Sequence, residues 1–199
     1  MRKYESLRRA TQAAQTRSEI AAAARRLFVA RGWAATTVRD VAREAGVSVP
    51  TVYAAYGNKT GLIQALAEAA DNAADPAQSL AEIEAAADDP VRQLAAMTGY
   101  DRRLFERAGD LIRLIREAGR TEPALADAYR AGRRGGDETR IQVFSSWPLR
   151  DGLELGTAVD VYAAICNIDV YSTLTVERGW SPDQVERWWI QVLTRELLG

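Results

Sequence analysis

A glycine between two short helical patterns is the strongest structural signal in this chain, and it lies within residues 36–60. Before Gly46, apolar residues recur at the spacing of one helix face, at Val38, Val41, Ala42 and Ala45. Glycine tolerates the left-handed backbone conformation that a sharp exit from a helix requires, so the first helix is predicted to end there. Ser48 can cap a second helix, which has Pro50 in its first turn. The segment therefore predicts a helix-turn-helix, a motif whose second helix fits the major groove of DNA.

The residues around this motif extend the pattern in both directions. An amphipathic helix ends in residues 27–33, the motif itself occupies residues 37–56, and Gly57-Asn58-Lys59 opens a further helix. A helix-turn-helix alone occurs in many unrelated proteins, whereas this whole run in this order is far more specific. It closely resembles the DNA-binding domain of the tetracycline-repressor family of bacterial transcription regulators. Beyond residue 75 the resemblance is limited to helical architecture and to residues 178–182.

Composition and length bound the possible class of protein. The chain has 199 residues, of which 47% are hydrophobic and 27% are charged, as in ordinary globular domains. No apolar run approaches the roughly 20 residues that span a bilayer, and the N-terminal residues lack the apolar region of a signal peptide. The single cysteine, Cys166, has no partner for an internal disulfide, which favours a reducing compartment. We therefore expect a cytoplasmic protein of one or two domains without a membrane segment.

Charge is distributed unevenly along the chain, although the net charge is only −1. Residues 1–59 contain 11 Lys and Arg against 4 Asp and Glu, a net charge of +7. Residues 60–199 contain 15 against 23, a net charge of −8. Because nucleic-acid binding depends on the local field, the basic N-terminal part predicts contact with phosphates and the acidic remainder does not. A chance clustering of basic residues is the weaker alternative, because the cluster coincides with the helix-turn-helix.

The N-terminal part of the chain predicts a small helical domain. A helix from about Thr16 to Arg31 precedes the helix-turn-helix, and a polar, basic extension of residues 1–15 precedes that helix. A fourth helix runs from about Lys59 to Ala73, and the pattern then breaks at Asp75, which is followed by proline. We therefore place a three-helix, helix-turn-helix DNA-binding domain in residues 1–73.

The remainder of the chain also has helical patterning, so the predicted fold class is all-α. Helices are predicted from Pro90 to Gly119 and from Pro123 to about Trp147, followed by a loop in residues 148–156. No segment shows sustained strand alternation. Residues 74–199 are therefore predicted to form an all-helical effector-binding and dimerisation domain.

The last two predicted helices have the clearest patterns in this second domain. Residues 157–177 are apolar on nearly every side, and residues 181–198 form an amphipathic helix behind a capping box of Ser181 and Gln184. A helix that is apolar on every side needs cover on every side. Both helices could be internal core, or they could pair with their copies in a four-helix dimer interface. We expect the homodimer, and the resemblance implies it too, because this family usually dimerises through its last two helices.

The resemblance also implies contacts with double-stranded DNA, at a palindromic operator. The implied residues lie on the two helices of the motif and at the start of the fourth helix: Thr37, Arg39, Ser48, Val49, Pro50, Thr51, Tyr53, Tyr56 and Lys59. Thr37, Tyr53 and Lys59 would contact phosphates, Lys59 from a helix N-terminus that itself favours an anion. Residues 48–51 would read bases, chiefly through apolar contact with a thymine methyl. Arg39 could take a guanine or a phosphate.

The sequence departs from the family pattern directly after Tyr53. Tyr-His-Phe is common there, and Ala54-Ala55-Tyr56 stands in its place. The missing imidazole removes one phosphate or base contact, so affinity would rest more on arginines. We expect basic residues near the N-terminus to compensate by lying along the DNA backbone or entering a minor groove, namely Arg2, Lys3, Arg8 and Arg9.

The same resemblance implies a small-molecule effector, because regulators of this family usually release DNA when a ligand enters the second domain. The candidate pocket residues are large side chains of the C-terminal helices: Met97, Tyr100, Leu104, Tyr129, Phe144, Trp147, Tyr162 and Asn167. For any one of them, packing in the core is the simpler interpretation. Asn167 and Asp169 interrupt an apolar helix, where a buried polar group needs a partner in a ligand or across a dimer. The acidic excess favours a cationic or neutral effector.

Other classes of protein fit the sequence less well. The chain has no histidine, which removes the commonest general base and metal ligand, and Cys166 therefore has no imidazole to activate it. Residues 132–136 lack the lysine and the preceding strand of a phosphate-binding glycine loop. We predict no catalytic residue, cofactor or metal site. The predicted function is a ligand-responsive repressor, or an activator, and the alternative is a protein-interaction module that does not bind specific DNA.

Overall fold

A computed structural model of the chain describes the backbone of residues 2–199 and the side chains of residue 8 and residues 10–199. Within these residues the fold is all-α, without a β-strand, which confirms the predicted fold class. Ten α-helices follow one another, with one π-helical turn (Thr173–Glu177) before the last: α1 Arg2–Arg31, α2 Val38–Glu44, α3 Val49–Tyr56, α4 Lys59–Ala73, α5 Pro76–Ala85, α6 Pro90–Ala118, α7 Pro123–Phe144, α8 Leu155–Ile165, α9 Ile168–Ser172 and α10 Pro182–Leu197. None of the helices in the described part of the chain is long and apolar enough to cross a membrane.

The chain divides into two compact units. The first unit comprises Met1–Ala69 together with Leu114–Ala128, and the second comprises Ala70–Arg113 and Tyr129–Gly199. The division after Ala69 falls inside α4, a few residues before the predicted boundary, which stays a prediction. The sequence did not reveal that Leu114–Ala128 belongs with the N-terminal residues, because no local pattern reports a contact between segments so far apart.

The first helix is longer than predicted. It begins at Arg2 and not at about Thr16, so residues 2–15 of the predicted extension are helical in backbone. These residues are polar but contain no glycine or proline, and Arg, Ala, Gln and Glu are good helix formers. The side chains of Arg2, Lys3 and Arg9 lie outside the described residues, and their proposed contacts with DNA stay a prediction. The side chain of Arg8 is exposed.

The core of the first unit is formed where α1, α2, α3 and α4 meet. Their buried apolar residues are Ile20, Ala23, Ala24, Leu27 and Phe28 of α1, Val41 and Ala42 of α2, Val52 of α3, and Leu62, Ile63 and Leu66 of α4. These are the positions that the helical spacing of the sequence places on one face of each helix. Burial of one face on each helix leaves the opposite faces of α2 and α3 free to contact a partner.

The core of the second unit is rich in aromatic residues. Tyr162, Phe144 and Trp189 are almost completely buried, and Trp147 and Tyr171 nearly so. The amphipathic stripe predicted for the last helix is present, because its apolar side chains Val185, Trp189, Leu193 and Leu197 are all buried. The capping box predicted at the start of that helix is also present, between Ser181 and Gln184.

The prediction of one continuous helix over residues 157–177 is wrong. α8 ends at Ile165, and the chain turns at Cys166 before α9 begins at Ile168. Asn167 causes this break, because its side-chain oxygen accepts hydrogen bonds from the backbone N–H groups of Asp169 (2.9 Å) and Val170 (3.0 Å). Asparagine offers the backbone such an alternative to the helical ladder, and the apolar periodicity of the segment conceals it.

Candidate nucleic-acid interface and a buried polar cluster

The start of α2 is fixed by a capping box that uses the side chain of Thr37. Its hydroxyl donates to the Asp40 carboxylate (2.6 Å) and accepts from the Asp40 backbone N–H (3.1 Å), while the Thr37 backbone N–H donates to the same carboxylate (3.0 Å). The hydroxyl and backbone donors of Thr37 lower the pKa of Asp40, and Arg43 acts in the same direction. A phosphate contact from Thr37 therefore requires its hydroxyl to turn away from Asp40.

The turn between α2 and α3 has the geometry that the sequence predicts. Gly46 has a φ of +66°, and the N–H of Val47 closes the turn on the carbonyl of Ala42 at 2.9 Å. Ser48 then caps α3, since its hydroxyl accepts from the N–H of Thr51 at 3.3 Å and lies 2.7 Å from the Thr51 hydroxyl. These two hydroxyl groups are therefore hydrogen-bonded to each other at the first turn of α3.

The residues predicted to read bases lie together at this first turn. Ser48 and Pro50 are exposed, Val49 and Thr51 are half-buried, and Tyr53 is 49% exposed one turn further along. Apolar and hydroxyl groups therefore share one accessible surface at the N-terminal end of α3. Such a surface can contact thymine methyl groups and accept or donate hydrogen bonds at base edges. Arg39, also predicted as a contact, is exposed on α2.

Tyr56, also predicted as a DNA contact, bonds to α1 within the first unit. Its hydroxyl donates to the carbonyl of Arg17 at 2.8 Å, and its ring lies 4.7 Å from the Arg17 guanidinium carbon. Arg17 in turn donates to the carbonyl of Ala55 at 2.5 Å, near the C-terminus of α3. Burial raises the pKa of Tyr56, against the opposing charge of Arg17. We call these three residues the α1–α3 clamp.

The α1–α3 clamp could not be found from the sequence pattern. Arg17 and Ala55 are 38 positions apart, so no periodicity connects them. Tyr56 is half-buried in the structure, and a tyrosine in such a position usually has a hydrogen-bond partner for its hydroxyl. The sequence did not indicate which residue that partner is. A cation placed against the last carbonyl groups of a helix also stabilises its C-terminus. The clamp therefore fixes α3 against α1.

Lys59, predicted to bind a phosphate, is turned toward Trp33. Its ammonium group donates to the Trp33 carbonyl and lies 4.0 Å from the centroid of the indole ring. Trp33 in turn stacks on Phe28, with ring centroids 5.6 Å apart. Burial lowers the pKa of Lys59, and the charge of Glu122 raises it. In this arrangement Lys59 joins α4 to the end of α1.

Gly61 is a further residue whose role the sequence did not reveal. A Cβ atom added there would lie 2.1 Å from the carbonyl oxygen of Tyr56. Only glycine allows the last turn of α3 to approach α4 this closely. The N–H of Gly61 also donates to the side chain of Asn58 at 2.7 Å, which caps the start of α4. The path from α3 into α4 is therefore fixed by backbone contact.

The predicted effector residues fall into two groups in the second unit. Met97, Phe144, Trp147 and Tyr162 are buried in one aromatic-rich core. The others lie outside that core or have a structural partner: Tyr100, Leu104, Tyr129 and Asn167. Tyr100 donates its hydroxyl to Asp71, Leu104 and Tyr129 are half-buried, and Asn167 caps α9.

The C-terminal end of α4 is held by side chains of α6 within the second unit. Besides the bond from Tyr100 to Asp71, Arg103 donates to the carbonyl of Ala74 at 2.9 Å and Arg107 donates to that of Ala73. These arginines satisfy carbonyl groups that a helix end leaves without internal partners. α6 therefore caps α4.

A buried polar cluster lies among the aromatic residues of this unit. Asp101 of α6 accepts a hydrogen bond from the Tyr162 hydroxyl at 2.9 Å and lies 3.4 Å from Arg140 of α7. The Arg140 guanidinium carbon is 4.6 Å from the centroid of the Tyr162 ring. Burial raises the pKa of Asp101, while the charge of Arg140 and the hydrogen bond from Tyr162 act against that shift. Only Tyr162 of this cluster was identified from the sequence, because its two charged partners lie on other helices.

The described residues contain no group of three or more Cys, Asp or Glu placed to hold a metal ion. Cys166 is buried, and burial raises the pKa of its thiol well above the usual value, so the thiol stays protonated. A protonated, buried thiol is a poor nucleophile.

A capped α3 with an exposed first turn packs with α1, α2 and α4, and this arrangement is a helix-turn-helix. Residues 20–66 match the family described as bacterial regulatory proteins, tetR family. Its members are regulatory proteins and not enzymes. The resemblance inferred from the sequence is therefore confirmed.

Curated relatives match part of the chain, whereas solved structures match the fold of nearly all of it. The chain is 41% identical over 64 residues to the HTH-type transcriptional regulator TtgR of Pseudomonas putida, which covers 32% of this chain and 30% of TtgR. The matched part is thus less than a third of that relative's length. Among solved structures, NalD of Pseudomonas aeruginosa, a secondary repressor of the MexAB-OprM multidrug efflux pump, has 22% identity and a TM-score of 0.70, covering 94% of this chain and 97% of NalD.

A second solved structure carries a ligand. A putative transcriptional regulator from Saccharomonospora viridis, solved in complex with choline, has 19% identity and a TM-score of 0.71, covering 92% of this chain and 98% of that protein. At these identities the likeness of both structures concerns the fold alone. Both units of the chain are nevertheless covered by each alignment.

Proposed function

We propose that this chain is a sequence-specific DNA-binding transcriptional regulator that inserts α3 into the major groove of a palindromic operator. The observation that carries the proposal is the exposed first turn of α3, within a segment that matches the tetR family. The net charge of +7 on residues 1–59 supports it, because neutralisation of phosphates supplies much of the affinity for DNA.

Within this interface, base reading is assigned to residues 48–51 and phosphate binding to Thr37, Tyr53 and Lys59. Tyr53 is exposed and its hydroxyl can donate to a phosphate without rearrangement. Thr37 and Lys59 would first have to leave Asp40 and the Trp33 carbonyl. Arg39 contacts either a guanine or a phosphate. We assign Tyr56 to positioning α3 through the α1–α3 clamp.

A palindromic operator requires two copies of α3 related by a two-fold axis, about 34–36 Å apart on successive major grooves. We propose a homodimer formed through residues 157–177 and 181–198. Its support is apolar surface that remains uncovered there: Val176 is 77% exposed, and Trp188 and Val192 are only half-buried. Exposed apolar side chains of this kind mark surfaces that associate.

The second unit is proposed to bind a small-molecule effector, in the region of Met97, Phe144, Trp147 and Tyr162, and to act as a repressor. NalD is described as a repressor, and the regulator from S. viridis was solved with choline. An effector releases DNA only if it binds the two states of the regulator with different affinity. α4 is the proposed lever, since its end is capped by α6. The division into domains at residues 73–74 and a cytoplasmic location belong to the same proposal.

The experiment that tests this function is selection of genomic fragments by the purified chain, repeated at two salt concentrations. We expect a palindromic site whose affinity falls about 10³–10⁵-fold between about 50 and 200 mM salt. Arg39→Gln is expected to weaken binding to that site. Arg92→Gln, which makes the same charge change at an exposed position on α6, is the matched control and is expected to leave binding unchanged.

Two results would contradict the proposal. The first is recovery of no enriched site. The second is DNA binding that depends only weakly on salt concentration and that Arg39→Gln and Arg92→Gln weaken to the same extent. Either result would favour the alternative, in which the helix-turn-helix serves as a protein-interaction module.

A further inference from the structure

We propose that the buried polar cluster of Asp101, Arg140 and Tyr162 is a binding site for a small organic cation, whose place is held by the Arg140 guanidinium until the ligand arrives. The proposal deepens the effector-binding role and rests on it. It identifies the chemical class of the ligand and the residues that would recognise its charge.

The carboxylate of Asp101 is the first element of this site. It is buried, and charges are stable in a protein interior only when they are paired. Two groups approach its Oδ2 atom: the Tyr162 hydroxyl at 2.9 Å and Arg140 Nη2 at 3.4 Å. The distance to Arg140 is long for a charge-assisted hydrogen bond, which is commonly about 2.7–2.9 Å. Of the two contacts of Asp101, the one with Arg140 is thus the longer.

The aromatic ring of Tyr162 is the second element. It faces the Arg140 guanidinium at 4.6 Å. Phe144 packs 5.9 Å from the Tyr162 ring, and Trp147 packs 4.3 Å from Phe144, measured between ring centroids. A carboxylate next to the face of a tyrosine ring is an arrangement that attracts ammonium groups, because both stabilise a positive charge. In this structure the protein's own guanidinium occupies it.

Arg140 has a second carboxylate partner, which makes exchange feasible. Its Nη1 atom lies 2.8 Å from Asp137, whose side chain is 35% exposed. The bond to Asp137 is shorter than the approach to Asp101, and it lies nearer to solvent. When a ligand cation takes the place next to Asp101, Arg140 keeps Asp137 and is not left unpaired.

Gly136 of α7 lies next to the Arg140 guanidinium. A Cβ atom at that position would lie 2.9 Å from Arg140 Nη1, and the guanidinium, as the end of a flexible side chain, could shift to accommodate it.

The site selects for charge and for shape. Asp101 is a single carboxylate, so one positive charge balances it, and an anion at the same place would face it directly. Phe144, Trp147 and Met97 belong to the same apolar core as Tyr162, and this environment favours a ligand whose charge is carried on an alkylated, weakly hydrated group. The ligand class is therefore a compact monocation such as a quaternary ammonium.

The test uses the full chain without DNA and measures binding by calorimetry. Choline is the cationic probe, and its neutral isostere, with a tert-butyl group in place of the trimethylammonium group, is the matched control. We expect choline to bind at least about tenfold more tightly than the isostere, because only choline gains the cation–π and carboxylate interactions. A carboxylate ligand with the same tert-butyl body is expected not to bind.

Two variants distinguish ligand recognition from a structural role. Arg140→Met keeps the apolar stem but removes the competing guanidinium, and is expected to tighten choline binding about tenfold. Asp101→Asn is expected to abolish the preference for choline over its isostere. A purely structural cluster would give the opposite result for Arg140→Met, since loss of packing weakens any binding. If Arg140→Met does not fold, Arg140→Lys is the substitute, and its less favourable geometry at Asp137 is expected to give a smaller gain in the same direction.

The outcomes separate this inference from the proposed function. Equal affinity for choline and its isostere, or weaker choline binding in Arg140→Met, would overturn the cation site. Absence of choline binding in the wild-type chain and in both variants would also overturn it. A chain that selects no operator but shows the expected choline pattern would retain the site and lose the DNA-binding proposal.

Discussion

Two arginines of the first unit make different contacts, so their substitution is expected to change the salt dependence of DNA binding differently. Arg17 donates to the carbonyl of Ala55, whereas Arg39 is exposed on α2 beside the proposed interface. Arg17→Ala is expected to reduce operator affinity about tenfold, the loss of about one charged hydrogen bond, without changing the slope of log affinity against log salt. If Arg39 takes a phosphate, Arg39→Ala is expected to lower that slope by about 0.9.

Anisotropy titrations of an operator duplex over a range of salt concentrations measure both quantities. Tyr56→Phe, which removes only the hydroxyl donated to Arg17, is expected to behave as a weaker form of Arg17→Ala. A reduced slope in Arg17→Ala would mean that Arg17 contacts a phosphate, and the α1–α3 clamp would not be its role.

The carboxylate of Asp40 predicts a dependence of stability on pH. The hydrogen bonds from Thr37 lower its pKa in the folded chain, so folding favours the ionised form. That contribution is complete above the unfolded pKa of about 3.9 and is lost as the pH falls through the lower folded value. Asp40→Asn is therefore expected to have a lower melting temperature than the wild type at neutral pH, and this gap is expected to close in acid.

Thermal melts followed by circular dichroism across an acid titration measure that gap. Thr37→Val is the companion variant, because it removes the hydroxyl that contributes most to the shift in pKa. A gap that stays constant throughout the titration would contradict this account of α2.

At the scale of helices, variants of Asn167 test whether this residue has a structural role at the start of α9. Its side chain caps α9, so Asn167→Ala is expected to destabilise the chain by about 1 kcal/mol. Asn167→Asp is the matched control, because a carboxylate still accepts from the two N–H groups at the start of α9 and is expected to retain most of the stability. Urea unfolding followed by tryptophan fluorescence measures both. Equal stability of all three chains would mean that the cap contributes nothing to α9.

Local signals in the sequence predicted α2 and α3 because their ends are fixed by residues next to them. Thr37, Gly46 and Ser48 each act within four positions along the chain, at a cap or a turn. Apolar spacing gave the buried faces of the same helices. These signals were enough to predict which helices carry the residues of the proposed DNA interface, namely α2, α3 and the start of α4.

Contacts between distant segments could not be predicted in the same way. The bond from Arg17 to Ala55 and the assignment of Leu114–Ala128 to the first unit depend on tertiary packing. The break at Asn167 is local, but apolar residues on both sides concealed it. The polar cluster around Asp101 was also missed, because its members lie on three helices and no local pattern connects them.

At the scale of the whole molecule, charge is divided in the way that a specific DNA binder requires. The net charge of −8 on residues 60–199 opposes the approach of DNA to that part of the chain, and the net charge of +7 on residues 1–59 attracts it. Non-specific binding to phosphates would therefore be directed to the helix-turn-helix, where residues 48–51 can test base edges.

The proposed dimer gives the last prediction, which depends on the uncovered apolar surface near the C-terminus. Val176→Glu places a charge at the most exposed of the large apolar side chains, which is 77% exposed in the single chain. If that surface is buried between two copies, the unpaired carboxylate is expected to dissociate the dimer and, with it, binding to the palindromic site. Val91→Glu makes the same change at a valine of α6 that is 41% exposed, and is expected to preserve the dimer. Sedimentation velocity gives the oligomeric state of each chain. A dimer that survives Val176→Glu with full affinity for the operator would place the interface on another surface and leave Val176 without a role in assembly.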